Sequence, residues 1–504
     1  MFDKLKLKSK SSNLTAASPA ATPGKPPSKK QIYQSRKNFG VNIGACFVLE
    51  KWIFHELFPD GAECELDVVE GLVKSKGNDG AREAFEKYWS DFLTDDDWKW
   101  LKDNEVTSIR VPLGYWDIGG GNYTKGTKFE KYGSTVYANA WKVFKEKFVE
   151  RARDNEISVL VDIHGLPGGA NGSDHSGEKS GGEAKFWSSQ DAQLTVLNML
   201  AFIADDLKNY ENIAGLQIVN EAEFADEPAK KQSTYYAAAI NSIREKDSSI
   251  PIVISDGWWA DQWARWVQSN QSGNKSLGVV IDHHCYRCFS DDDKKKAPPK
   301  IIDDLQNDLL TNLTDNGKGV DFMVGEYSCV LDGASWDRDN ANRKRDQLVI
   351  DYGNRQVELI NERAGFGSYF WTYKFQSGNG GEWDFKTMIG KGAIKHPKSI
   401  KGKELPDKSK FDEKLNNVFE AHKKYWDNEN PKEKYEHDRY KEGFTTAWAD
   451  ASEFAKFNGS VLGRKEAWKS ARLEEHIKAR GSSRHLWEWE QGFDAGLNEF
   501  LNFF

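Results

Sequence analysis

What this chain can fold into is limited most by eight short apolar runs, at residues 39–44, 107–112, 158–164, 213–220, 252–255, 279–284, 322–326 and 367–371. Each reads as a buried strand. Between them, apolar residues recur at three- and four-residue spacing, as in Trp141-Lys-Val-Phe-Lys-Glu-Lys-Phe-Val-Glu-Arg-Ala-Arg153, the pattern of an amphipathic helix. Strands alternating with helices make a parallel sheet. Eight of them closing on themselves give an α/β fold of the (β/α)8 TIM barrel type, with its chemistry at the C-terminal strand ends. An open, doubly wound sheet is the competitor. It calls for a glycine-rich phosphate turn after the first strand, which Gly40 and Gly44 do not supply.

The barrel is expected to occupy residues 37–401 of 504. Residues 1–36, rich in Ser, Ala, Pro and Lys, bury too little apolar surface to offset ordering and read as a disordered tail. Residues 50–97 form a long insertion after the first strand, suited to wall off one end of a cleft. Residues 402–504 carry no strand signal, but Trp, Phe and Tyr recur at helical spacing, and 440–454 weakly echoes 489–500, with a degenerate copy at 465–471. This is a C-terminal helical extension, available to pack on the barrel or to mediate self-association.

A net charge of −8 argues against nucleic acid as a partner. No run of about 18 apolar residues occurs, so no membrane span is expected. Residues 1–10 contain no continuous apolar segment, so no secretory signal is expected either. With that, the five Cys read as reduced thiols in a cytoplasmic protein. His283-His284-Cys285 with Cys288 resembles half a zinc site, but no second ligand pair at zinc spacing accompanies it, so no metal is expected.

The polar residues at the strand ends carry the functional signal. Strand two ends with Arg110, strand three with Asp162 and His164, strand four with Asn220-Glu221, strand six with Asp282-His-His-Cys-Tyr286, strand seven with Gly325-Glu326 and strand eight with Phe370-Trp371. Two acids on two strand ends, Glu221 and Glu326, are what glycosidic bond cleavage needs: one protonates the leaving oxygen, the other attacks or activates water.

These stretches, with Gly40-Val-Asn-Ile-Gly-Ala-Cys-Phe-Val-Leu-Glu50 and Arg110-Val-Pro-Leu-Gly-Tyr-Trp116, resemble glycoside hydrolase family 5, and within it the exo-β-1,3-glucanase group. The resemblance runs from about residue 38 to about residue 392. It implies Glu326 as nucleophile, Glu221 as general acid and then base, and Arg110 and Tyr286 as partners of Glu326. It further implies that Asn220 binds the sugar 2-hydroxyl, and that His164 and His284 orient these groups. Trp371 would floor the −1 subsite, Glu50 and Asp174 would hold the terminal glucose, and Trp383 would be a second aromatic of that pocket. Phe289 matches one ring of an aromatic clamp on the +1 sugar, whereas the other ring position is Ser173 here. The usual Asn-Glu-Pro is Asn220-Glu221-Ala222.

The acid is expected to have a raised pKa through repulsion by the second carboxylate. The reading is a retaining, exo-acting β-glucosidase of the glucan 1,3-β-glucosidase type, needing no cofactor and acting on a β-glucoside or β-glucan. Its rivals are a β-glucosidase acting on an apolar aglycone, such as a steryl glucoside or glucosylceramide, and a non-catalytic carbohydrate-binding barrel. Retention of both carboxylates speaks against the last.

Overall fold

The computed structural model describes residues 13–18, 25–397 and 399–504. Strands β1 (Asn38–Asn42), β2 (Ser108–Gly114), β3 (Ser158–Gly165), β4 (Ile213–Gln217), β5 (Ile252–Ser255), β6 (Val279–Arg287), β7 (Asp321–Leu331) and β8 (Gly367–Phe370) close in that order into a barrel. All pairings are parallel, β8 returning to β1. The expected (β/α)8 barrel is therefore the fold. The helical pattern at 141–153 is realised as Ala140–Val143, a π-helical turn Phe144–Val149 and Glu150–Asp154.

Side chains alternate along each strand, and that alternation builds the interior in layers. Leu160, Ala214, Val253, Val280, Met323, Phe366 and Tyr369 form a buried apolar plug. Two residues further along β3 and β6, Leu160 gives way to Asp162 and then His164, and Val280 to Asp282 and then His284. The upper layers are thus polar, and they face the C-terminal mouth.

Several strand ends differ from expectation by one to five residues, and two of these differences aim an acid. β4 stops at Gln217, before Asn220-Glu221, and Glu221 sits at φ 42°, in the left-handed region few non-glycine residues adopt. β7 runs beyond Glu326 to Leu331, with an irregular register that pairs His283 with Val324 but His284 with Glu326. Such a bulge re-aims a side chain. Gly325 sits in it, and a Cβ there would collide with both carboxylate oxygens of Asp282.

The insertion after β1 carries a helical segment Glu65–Asp91, broken by a kink at Gly77 (φ 72°), and the helix Asp95–Asp103. Its anchor is Glu65, which is fully buried. Trp116 Nε1 (3.1 Å) and Tyr137 Oη (2.9 Å) donate to its Oε1, and the Leu49 amide (2.8 Å) to its Oε2. Burial, only partly countered by these donors, pushes the Glu65 carboxyl up to about 8.

Residues 408–429, 438–456, 465–480 and 486–501 are the helices of the C-terminal unit, which has an apolar core of its own built on Phe444, Trp448, Phe454, Trp468, Trp489 and Phe493. The weakly repeated segments pack on each other: Gly443 abuts the Trp489 carbonyl and Gly492 the Tyr440 carbonyl, approaches no larger residue permits. The unit is sewn to the barrel's N-terminal face, the end away from the mouth. The Lys37 amide donates to Val461 O, Gly463 and Arg464 amides donate to Ser35 O, and Asp321 at the start of β7 accepts from the amides of Glu466 and Ala467.

This seam corrects the expectation of a disordered tail through residue 36. Lys29–Ser35 is a helix with a Ser28–Gln31 capping box, and Ile32 joins the core of the C-terminal unit. Arg36 stacks on Tyr33 and bonds to the carbonyl of Thr107. Ile32 and Tyr33 are two apolar residues in a polar segment; composition averaged over the segment conceals them. Residues 1–12 and 19–24 of that expected tail lie outside the described residues. Among the described residues no helix is long and apolar enough to cross a membrane.

Candidate active site

Arg110, fully buried in β2, organises the polar layer. Its Nη1 donates to Glu326 Oε1 (3.0 Å) and Asn42 Oδ1 (2.8 Å), its Nη2 to Asn220 Oδ1 (2.7 Å), and its Nε to Gln217 Oε1 (2.9 Å). Asp162 Oδ2 lies 3.0 Å from Nη2. Burial alone would lower the guanidinium, but Asp162, Glu326 and Asp282 outweigh it and hold it charged. A cation fixed in this way holds the Glu326 carboxylate in place. Tyr286 Oη donates to the other oxygen of Glu326 at 2.8 Å.

His284 links the two acids. Its Nδ1 lies 2.9 Å from Glu221 Oε1 and 3.6 Å from Glu326 Oε2, while its Nε2 lies 3.0 Å from Asp282 Oδ2. Burial would lower this imidazole, yet the charges of Glu326 and Asp282 push it well above its ordinary value. The partner moves the other way. Burial works to raise the Glu221 carboxyl, but the hydrogen bond and charge of His284 hold it down at about 2. This overturns the expectation of a raised acid: in the free site the shared proton resides on His284, because a cation closer than the second carboxylate dominates.

His164 Nδ1 lies 2.8 Å from Asp162 Oδ2, and Asn220 Nδ2 lies 3.4 Å from His164 Nε2. The His164 ring stacks near Trp371, centroids 5.9 Å apart and planes 12° apart. Asp282 is a hub that also accepts from Gln217 Nε2 (2.7 Å) and the Gly325 amide (2.6 Å). Glu50 accepts from Trp52 Nε1 at 2.8 Å, and burial raises its carboxyl. Trp52, Trp383, Tyr286 and Phe289 form a chain of rings along one wall, with successive centroids 5.4, 5.6 and 5.6 Å apart.

The predicted residues thus come from the strand ends and loops of one mouth. Asp174 is exposed on the β3 loop, where its Oδ1 accepts from the Ser180 amide at 2.7 Å. Its neighbour His175 faces His164 instead, ring centroids 6.3 Å apart. His283 pairs with Asp256 at 2.7 Å, as a structural neighbour of the site. Residues not singled out beforehand are Asn42, Gln217 and Asn171, whose Nδ2 donates to the Glu221 carbonyl at 2.8 Å. The alternation along the strands was the available signal for the first two; Asn171 lies on a loop and had none.

Two facing acids at the mouth of a (β/α)8 barrel, one clamped by arginine and tyrosine and one on a histidine, define a glycoside hydrolase. Comparison with known proteins agrees. The family described as Cellulase (glycosyl hydrolase family 5) matches residues 73–377, and the glucan 1,3-beta-glucosidase 3 C-terminal domain matches residues 407–504. An uncharacterized glycosyl hydrolase of Saccharomyces cerevisiae is 38% identical over 498 residues, covering 97% of this chain and 95% of its own length. Glucan 1,3-beta-glucosidase 3 of Schizosaccharomyces pombe is 34% identical over 475 residues, covering 93% of this chain and 96% of its own. The rutinosidase of Aspergillus niger shares the fold, with a TM-score of 0.55 at 19% identity over 72% of this chain and 98% of that one. The chain belongs to glycosyl hydrolase family 5.

Proposed function

We propose that the protein is a retaining, exo-acting β-glucosidase of the glucan 1,3-β-glucosidase type, releasing glucose from non-reducing ends. The observation that carries this reading is the approach of the two acids: facing oxygens of Glu221 and Glu326 come within 4.8 Å of one another, with His284 between them. Inverting pairs stand roughly 6.5–9.5 Å apart to admit a water, whereas retaining pairs stand about 5–5.5 Å apart. Glu326 attacks the anomeric carbon as Glu221 protonates the departing oxygen. Water, deprotonated by Glu221, then hydrolyses the glycosyl ester. His284 supplies the proton that Glu221 lacks in the free site. Asn220, held by Arg110, faces the sugar 2-hydroxyl.

Exo action is supported by Glu50 and Trp52 at the root of the insertion, which Glu65 ties to Trp116 and Tyr137. In this reading they bound the cleft beyond the terminal sugar. The five unpaired, buried cysteines accord with a cytoplasmic protein.

A second reading, a β-glucosidase of apolar aglycones, draws on the exposed rings around the mouth. Phe224, Trp258 and Phe289 are 54%, 52% and 63% exposed, on the loops after β4, β5 and β6. Free glucose measured from laminari-oligosaccharides, gentiobiose, steryl glucoside and glucosylceramide separates the two, and NMR of the first-formed anomer tests retention. Release of α-glucose first, or no turnover of any member, defeats the proposal.

A further inference from the structure

The C-terminal unit contains a second cluster of acid and imidazole, unrelated to the barrel mouth. His422 comes from helix 408–429, His437 from the residue that opens helix 438–456, and Glu488 from the first turn of helix 486–501. Glu488 is fully buried and His422 nearly so. His422 Nε2 lies 3.1 Å from Glu488 Oε2, and His437 Nδ1 lies 2.7 Å from the same oxygen. The three atoms all fall within 4.8 Å of one another.

The surroundings are those of a prepared ligand set. His437 turns its other nitrogen to Asp427 Oδ1 at 3.2 Å, the outer carboxylate that fixes the tautomer of a metal-bound imidazole. Glu488 Oε1 is taken by the Glu436 amide at 2.8 Å, which leaves Oε2 to the two rings. Each imidazole plane is held by an aromatic partner: His422 stacks on Tyr440 at 4.0 Å and His437 on Tyr435 at 5.3 Å. Trp426 and Trp487, 4.5 Å apart, pack beside His422 and shield one side from water. His437 is the more open member, its side chain 14% exposed, and gives the approach.

We propose that His422, His437 and Glu488 bind a divalent transition-metal cation of the zinc type, with water as the fourth ligand. Two imidazole nitrogens and one carboxylate oxygen suit Zn2+ and do not suit Ca2+ or Mg2+, which take oxygen ligands. The ion takes the place of the two N–H protons now directed at Glu488 Oε2. It ties together three helices at the edge of the apolar core they already share, so its role is to fasten the C-terminal unit, not to cleave glycosides.

The test is Zn2+ titration of the full chain after chelator treatment and its removal, read by calorimetry, with Co2+ absorption in the visible reporting coordination. We expect one strong equivalent and a rise in Tm on adding Zn2+. His437→Ala should abolish both. Asp427→Asn, at a half-exposed position that leaves the three ligands intact, should weaken binding roughly 10–100-fold. Glu326→Gln separates this cluster from the Glu221–His284–Glu326 group, the other candidate for an ion among the described residues; it should bind Zn2+ like the parent. Absence of a strong equivalent in the parent, unchanged binding in both His437→Ala and Asp427→Asn, or loss of binding in Glu326→Gln overturns the proposal.

Discussion

His284 Nδ1 lies 2.9 Å from Glu221 Oε1, so the acid and the histidine share one proton, and in the free site the histidine holds it. The pair loses that proton only as pH rises through the raised value of His284. The alkaline limb of kcat/KM should therefore lie above the ordinary histidine range. In His284→Gln the proton must sit on Glu221 itself, whose carboxyl then rises from about 2 under burial but remains a carboxyl. The alkaline limb should move to lower pH by roughly one unit or more. A pH–rate profile of both forms on an aryl β-glucoside checks this; coincident limbs contradict it.

Glu326→Gln keeps the volume and the contact with Tyr286 but removes the nucleophilic charge. Turnover should fall by several orders of magnitude with the circular dichroism spectrum unchanged. A variant retaining a tenth of parental turnover would assign the nucleophile elsewhere.

Glu221→Ala should lose turnover of substrates with poor leaving groups and keep the first step for those with good ones, which depart without protonation. Added azide then intercepts the ester on Glu326. The product expected by NMR is the β-glycosyl azide, and the α-anomer would rule out a retaining course.

Gly325→Ala tests the bulge in β7. The new methyl group has no place except that of the Asp282 carboxylate. Displacing it breaks the bonds to Gln217 and His284 together, so the loss should be about 1–3 kcal/mol in stability and, in addition, a large fall in kcat. Denaturant unfolding and kinetics on the same preparation measure both; a stable, fully active Gly325→Ala enzyme contradicts the assignment of Asp282 as a support for His284.

Ser173 is exposed on the β3 loop, and Phe289 is 63% exposed on the β6 side of the mouth. With Phe289 as the single ring at the two clamp positions, efficiency should rise little beyond two or three sugars. Adding the second ring by Ser173→Phe should increase kcat/KM for laminaritriose about three- to tenfold, the worth of one stacking contact of roughly 0.5–1.5 kcal/mol, and change that for an aryl glucoside less. Parental efficiency climbing steadily through longer laminarins speaks against it.

Much of the barrel was legible because a buried parallel strand is nearly all apolar, and the runs at 252–255 and 279–284 stand out against charged flanks. The ends were harder. Nothing in Gly215-Leu-Gln-Ile-Val-Asn-Glu221 says that the strand stops at Gln217, since Ile218 and Val219 are as apolar as what precedes them and are buried by neighbouring elements instead. The same limit applies to electrostatics. Sequence brings Glu221 and Glu326 to one mouth, but which neighbour stands closer to Glu221 depends on the register of β6 against β7. That register puts a histidine there, and reverses the direction of its pKa. Asp174 and His175 are adjacent in the chain, and only the turn of their loop decides which one faces His164.

The stitching of the C-terminal helices to the far end of the barrel has a practical consequence for orientation. Phe504, just past helix 486–501, lies on the pole opposite the catalytic opening, within reach of Lys403. A molecule held by that end presents its mouth outward. Attached to a bead or a film through a short C-terminal peptide, it would keep full access to an insoluble polymer facing it, whereas a graft onto the loops after β4, β5 or β6 would obstruct the entrance.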